Sequence, residues 1–599
     1  MAQDNQNRFN KLKSLRESAN LKYERNRRKF FCQLEPLIHD WRDELPDLRD
    51  IFRREEIERL LVDSVELEYY ENPFINFVAR TGYRDEPEVD EDGKPLLRRT
   101  TPIHRVARNI QNRSIPDLFK IFNRFDVNYI DKTGLTHFIV ACKFGCHEAV
   151  EKFLELGQDP NYMEKNGDSL LHLALTKGHE KLVELLLSRG ADPNMANEEG
   201  LTPLHVISQT NILNNLIERF FEICDEKNQL VRINAQDKLG DSPLHMSLRH
   251  GNGKVTKFLL RRGADPNLAN KEGSTALHFI EKRGVDDFTM GYFIKINKDN
   301  QKLLLDAQDK NGDTPLHLAV RYGKKKSIVS LLTNGADANV VNAEGLTPLH
   351  MICMKDFFET ALGDIFFKTC DEMKQKVQVN ARDNKGQIPL QLAVARFKAP
   401  VVDAILNHDA DLSSFVFPTE GYFDKRLSRN SRAWSQDFKL SLVSNALAIV
   451  EHLEKRGYEL YRDDALMIMK HFANFGLFEN SARLAKNHQE AAKKVRFDTS
   501  SSLYDLMKLR PEEAKKLVVR SDCKQLVKKV RELPYDSDDA CAAKLCDILM
   551  RGFLLDWALD SFVELIHFRL PILCCDMIIE QLGNQDLYHI CLAAAGRSS

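Results

Sequence analysis

From residue 98 to residue 412 the apolar positions fall in short clusters that return on a ladder of about 33 residues. Each cluster is opened by a glycine: Gly134, Gly167, Gly200, Gly240, Gly273, Gly312, Gly345 and Gly386. Their spacings are 33, 33, 40, 33, 39, 33 and 41, so short and long steps alternate from Gly167 onward and point to a duplicated pair of units. The short units finish in a leucine-rich run of helical period. Residues 413–436 lose all periodicity and read as a junction. Helical period resumes at Phe438, with Leu442, Ala446, Ile449, Val450 and Leu453 on one face, and predicts further helices near 461–475, 503–530 and 537–566. Residues 437–599 therefore read as an all-α region with a polar connection near 487–502. At the other end, residues 30–77 are helical in pattern and divided by Pro46 and Pro73. Asp85 to Asp92 then places six acids in eight residues, which predicts a solvated linker closing a helical module over 1–97.

Inside the ladder the glycine is followed by a tetrapeptide: TPLH after Gly200, Gly312 and Gly345, with SLLH, SPLH and TALH as variants and TPIH at Thr101 to His104 as a ninth, leading copy. RGADPN (Arg189 to Asn194, Arg262 to Asn267) or NGADAN (Asn334 to Asn339) closes the short units. Glycine supplies the positive φ of a turn, Ser or Thr caps the next helix, proline fits its first turn, and the leucines form the stripe each unit buries against its neighbours. This pattern resembles ankyrin repeats over 98–412. The resemblance implies a mainly α fold, a solenoid of helix pairs with β-hairpin loops followed by the all-α C-terminal region. It also implies a target protein held on the concave face and the hairpin tips. The tip residues are Lys165, Asn166, Glu198, Glu199, Lys238, Leu239, Lys271, Glu272, Lys310, Asn311, Ala343, Glu344, Asn384 and Lys385. The repeat histidines His104, His172, His205, His245, His278, His317 and His350 are expected to bond neighbouring hairpins rather than hold a metal. The last unit, GQIPLQLA from Gly386, lacks that histidine, as an end cap would. The long units insert FFEICDEKNQL (Phe220 to Leu230), YFIKINKDNQK (Tyr292 to Lys302) and FFKTCDEMKQK (Phe366 to Lys376). These shield the back of the array or form a second contact surface.

Composition narrows the chemistry. Basic and acidic residues nearly balance, 86 against 88, so neither a polyanion-coating protein nor a disordered chain is expected, and nucleic acid is not an expected partner. No window approaches the roughly 18 uncharged apolar residues of a membrane span. The most apolar stretch, Cys541 to Leu582, is broken by Lys544, Asp547, Arg551, Asp556, Asp560 and Glu564. The N-terminal residues lack an apolar signal core, so a reducing compartment is expected, and the twelve cysteines, without metal spacing, read as buried free thiols. Cytosol is the expected location, with nuclear entry open through the basic cluster Arg25, Arg27, Arg28 and Lys29. No enzyme, cofactor or metal site is expected: His147-Glu148 and His179-Glu180 lack the second histidine of a zinc-protease motif, and His452, His471, His488, His567 and His589 fall in unrelated contexts.

Near the C-terminus the order LPxxxxxxIIxxLxxxDL begins at Leu570-Pro571. It resembles the start of an F-box, although Leu573 stands where an F-box has Glu and the sequence stops at Ser599. An F-box-like ending behind ankyrin repeats is similar to the PRANC domain of poxviral and hymenopteran ankyrin proteins, here about 500–599. The stretches Glu451 to Glu479 and Ser502 to Val518 resemble the region preceding that ending. The resemblance implies that Leu570, Pro571, Ile578, Ile579, Leu582, Asp586 and Leu587 engage a Skp-type adaptor. The protein would then be a substrate receptor of a cullin-RING ubiquitin ligase. The competing reading is a scaffold whose repeats mask a signalling or transcription factor while the C-terminal helices only cap the array.

Overall fold

The computed structural model describes residues 2–596 except 40, 42–43, 67–71, 109–113, 166, 211–215, 284–289, 292, 296–302, 356–360, 423–434, 479–484, 498–500, 511–512 and 514–522. It is mainly helical, a series of short helix pairs with further helices C-terminal to them; among the described residues β-structure is confined to isolated bridges. Two compact units divide the chain: Met1–Phe279 with Lys295–Lys302, and Ile280–Ile294 with Leu303–Ser599.

In the first unit the repeats are pairs of short helices. Leu170–Lys177 and Glu180–Ser188 form one pair, Pro243–His250 and Gly253–Arg261 another. Ser169 and Ser242 start their first helices as N-caps, and proline at the first position of Pro243–His250 loses no helical donor. Leu171, Leu182, Leu186, Leu204 and Leu244 are buried between pairs. The N-terminal helices Arg54–Glu66 and Pro73–Arg80 pack onto this stack, and Glu24–Ile38 packs on Pro73–Arg80. The acidic run after them is not uniformly solvated. Asp85 is buried, bonded by the Arg99 guanidinium at 3.2 Å and by the Tyr129 hydroxyl at 3.0 Å, with Glu58 also on Arg99. A carboxylate is tolerated inside because a fixed cation and a hydroxyl meet it there. Arg27 likewise leaves the basic cluster, buried against Asp63 and donating to the Leu21 and Lys22 carbonyls.

The second unit repeats the design and extends it. Asn339 donates to the Lys376 carbonyl at 2.9 Å and accepts from the Gln378 amide at 2.7 Å. In the first unit Asn194 does the same with the Leu230 carbonyl and the Arg232 amide. The alternation of short and long steps is thus built into matching bonds. The aromatic pairs that open the insertions, Phe220-Phe221 and Phe366-Phe367, are buried in the stack; the insertion at 292–302 lies mostly outside the described residues. Beyond the repeats, Gln436–Lys455 and Arg462–Asn474 follow the predicted helices closely. Over the predicted 503–530 helix the structure describes Leu503–Leu506 and Cys523–Val530, with 511–512 and 514–522 outside the described residues. The 31-residue helix Tyr535–Leu565 is the spine of this region, packed on Gln436–Lys455 and on the last helix, Asn584–Ala595.

Candidate functional site

The repeat tips are held by their main chain. Lys238 N–H donates to the Glu199 carbonyl at 2.9 Å, and Lys271 N–H to the Leu239 carbonyl at 3.0 Å. In the second unit Ala343 N–H bonds the Asn311 carbonyl at 2.9 Å, and Asn384 N–H bonds the Glu344 carbonyl at 3.1 Å. The approach is close enough that Gly312, at φ +70°, leaves no room for a side chain: a Cβ there would lie 2.5 Å from the Ala343 nitrogen. The tip side chains Lys165, Glu198, Glu199, Lys238, Leu239, Lys271 and Glu272 are exposed in the first unit, as are Lys310, Asn311, Ala343, Glu344, Asn384 and Lys385 in the second. Asn166 lies outside the described residues.

Behind the tips the histidines are structural. His205 Nδ1 accepts from the Thr202 N–H at 3.0 Å, which leaves Nε2–H to donate to the Asp241 carbonyl of the next repeat at 3.0 Å. His172 does the same with Ser169 and the Leu201 carbonyl, and His317 and His350 with the Leu346 and Gln387 carbonyls. Burial lowers the pKa of His104, His172, His205, His317 and His350, and takes His245 down to about 4. Among the described residues no three His, Cys, Asp or Glu gather as a metal site. The buried thiols Cys146, Cys353 and Cys370 are pushed up to about 12 by desolvation, far from reactive thiolates. Two cysteines correct the reading of all as buried: Cys32 and Cys574 are exposed, each on the solvent side of its helix.

The C-terminal segment turns sharply after the long helix, with His567 and Phe568 both left-handed at φ 53° and 56°, and then enters the helix Ile572–Ile579 behind Pro571. Arg551 on the long helix anchors the far end of that helix, donating to the Leu582 carbonyl at 2.8 Å and the Glu580 carbonyl at 2.6 Å. Asn584 ties the following turn to Asp547. One face of the helix, Cys575 and Ile579, is buried with Leu587, and Leu582 is half-buried. The opposite face is apolar too and stands in solvent: Leu570, Pro571, Ile572, Leu573 and Ile578, with Leu573 74% and Met577 70% exposed. Asp586 is exposed and accepts from the Gly583 N–H at 3.1 Å, capping the last helix. Sequence reasoning singled out Leu570, Pro571 and Ile578 on the open side, left Met577 open as a soft residue compatible with either side, and passed over Phe568 and Ile572. The i, i+4 spacing of Leu573 and Met577 within the helix was the signal that marks them as one face.

A family model described as ankyrin repeats (3 copies) matches residues 103–197, 189–270, 254–340 and 324–415, just over half of the chain. The chain is 29% identical over 180 residues to the human transient receptor potential cation channel subfamily A member 1, covering 30% of this chain and 16% of that protein. It is 28% identical over 191 residues to a nuclear factor NF-kappa-B subunit of Gallus gallus, covering 32% of this chain and 18% of that one. It therefore spans less than a fifth of either relative. The crystal structure of the ankyrin repeat domain of Bcl-3 aligns at 21% identity and a TM-score of 0.32, covering 37% of this chain and 95% of that one. Among the described residues no helix is long and apolar enough to cross a membrane.

Proposed function

The chain belongs to the ankyrin-repeat family and so has a protein-binding role, and we propose that this role is that of a substrate receptor. In this reading the repeats hold a target protein, and the segment from Leu570 to Leu587 recruits a Skp-type adaptor and through it a cullin-RING ubiquitin ligase. The protein makes and breaks no bond itself; it holds two partners at once, in the cytosol or the nucleus.

The observation that supports the reading is the open apolar face of Leu570, Ile572, Leu573, Met577 and Ile578. A helix apolar all round is normally buried all round. This one is buried on one side only, anchored by Arg551, and it lies in the segment that resembles the F-box-like end of PRANC proteins. Contiguous exposed apolar surface on an anchored element is the ordinary mark of a docking site. Ile579 and Leu587 face inward and in this proposal support the helix, while Leu570, Pro571 and Ile578 meet the adaptor together with the residues between them.

The test is co-precipitation of the intact chain from cells, probing for the Skp-type adaptor and cullin, against Leu570→Ala/Pro571→Ala and Leu573→Glu/Met577→Glu. Exposed positions are chosen so that both variants keep the fold. Retention by the intact chain and loss from both variants supports the receptor reading. A folded intact chain that retains no adaptor removes it and leaves the masking scaffold in its place.

A further inference from the structure

The first-helix layer over residues 102–250 is cationic. The first helices of its repeats are Pro102–Val106, His137–Lys143, Leu170–Lys177, Pro203–Gln209 and Pro243–His250, and none contains an Asp or Glu. Four of the five carry a cation at or near their end: Arg105 with Arg108 just beyond, Lys143, Lys177 and Arg249; the fourth helix in order ends in Gln209. Three of the second helices, His147–Glu155, Glu180–Ser188 and Leu216–Glu226, carry several acids each, whereas Gly253–Arg261 carries Lys254, Lys257 and Arg261 and no Asp or Glu. Successive first helices touch one another, so the cations form a row with one position per repeat.

The carboxylates that accompany the two arginines Arg108 and Arg249 sit behind them. Asp131, 3.6 Å from Arg108, has 1% of its side chain exposed against 62% for the arginine, and Asp241, paired with Arg249, has 0% against 40%. Glu164, which interacts electrostatically with Lys143, is half-buried, as is Lys143 itself. An incoming chain therefore meets the guanidinium groups of Arg108 and Arg249 before their carboxylates, with Lys177 exposed between them. Packed helices lie about 10 Å apart, and an extended chain rises about 3.3 Å per residue, so one repeat is spanned by three residues of an extended ligand.

Resting on the protein-binding reading above, we infer that the first-helix layer of residues 102–250 receives an extended protein segment with an acidic residue at every third position and a neutral polar residue opposite Gln209. Single-stranded nucleic acid is the other polyanion of that shape. It binds through aromatic platforms for its bases, and the described residues of these five helices expose no Phe, Tyr or Trp.

The experiment uses the intact chain and fluorescence anisotropy with three probes: a synthetic peptide with glutamate at every third position among serines and threonines, its isomer of the same composition with the glutamates contiguous, and a single-stranded oligonucleotide. The spaced peptide is expected to bind more tightly than its isomer, and more weakly as salt rises through about 0.15 M. Lys143→Glu with Lys177→Glu should weaken it about tenfold at an unchanged melting temperature. Lys181→Glu, on a second helix, should leave it unchanged. Equal binding of the two isomers, no loss on the double charge reversal, or tighter binding of the oligonucleotide each overturns the inference. Adaptor capture by the same preparation reports separately on the ligase reading, so failure of one is distinguishable from failure of the other.

Discussion

In the repeat that begins at Gly386 an amide stands where the earlier repeats carry imidazole. Gln391 Oε1 accepts from the Ile388 N–H at 3.1 Å and its Nε2 donates to the Val416 carbonyl at 3.0 Å, the two bonds that a histidine makes elsewhere. The substitution noted as a change at the end of the array thus keeps the geometry and discards the titration. The histidines are held neutral by burial, with His245 lowered to about 4 from 6.5. Between those values the unfolded chain binds more protons than the folded one. Stability contributed by the neutral form is therefore complete above about pH 6.5 and is lost as pH falls toward about 4. For His245 the loss is on the order of 3 kcal/mol. The melting temperature should fall over this window, and His245→Gln should flatten part of the fall while leaving the value at pH 7.5 nearly unchanged. A variant with the same acid slope as the parent contradicts this. At the tips, Gly312→Ala combines a left-handed φ with a close contact to the Ala343 nitrogen, and should cost about 1 to 3 kcal/mol in a urea melt.

Between the two helices of a repeat one residue reaches across to the neighbouring repeat. His179 bonds the Lys143 carbonyl at 3.2 Å, Asn252 the Thr210 carbonyl at 2.9 Å, Lys324 the Ile280 carbonyl at 2.7 Å and Lys398 the Ile352 carbonyl at 3.0 Å. Imidazole, amide and ammonium all serve, because the need is a donor for a carbonyl near the end of a first helix. Nothing in the sequence revealed this series, since it has no common residue type. Lys398 is fully buried, so Lys398→Met should destabilise the second unit by about 1 to 3 kcal/mol, read by thermal melting. The helix Ile572–Ile579 shows the complementary limit of sequence reading. Its two apolar faces look alike in the chain, and only packing on the helix Tyr535–Leu565 decides which is covered. Cys574 lies on the uncovered side. It should therefore react with a thiol reagent in the free protein and be protected once a partner covers Leu573 and Met577; unchanged labelling in an adaptor complex would place that partner elsewhere.

At the scale of the whole chain, the repeats were legible because glycine, cap and proline recur at fixed offsets, and the histidine bonds because imidazole recurs with them. The C-terminal helices were legible from their period, as in Arg462–Asn474. The setting of charges was not: Asp85 and Arg27 belong to runs that look solvated, and their partners Arg99 and Asp63 are distant in sequence. The module over 1–97 is likewise joined to the first repeat by such pairs and by the Ile130 N–H on the Leu97 carbonyl at 2.9 Å. Two compact units, each with its own core, predict heat unfolding that is not two-state, with a calorimetric enthalpy exceeding the van't Hoff value. One transition with equal enthalpies would refute that. The tips, finally, are fastened through backbone atoms, from Lys238 on Glu199 to Asn384 on Glu344. Main-chain fastenings are indifferent to which side chain they carry, so lysine, alanine and asparagine serve as the donor residue and glutamate, leucine and asparagine as the acceptor residue, with only Asn384, among these described residues, adding a side-chain bond, to the Ala343 carbonyl. The outward side chains of most tips can therefore change, one at a time, without renegotiating how the array folds.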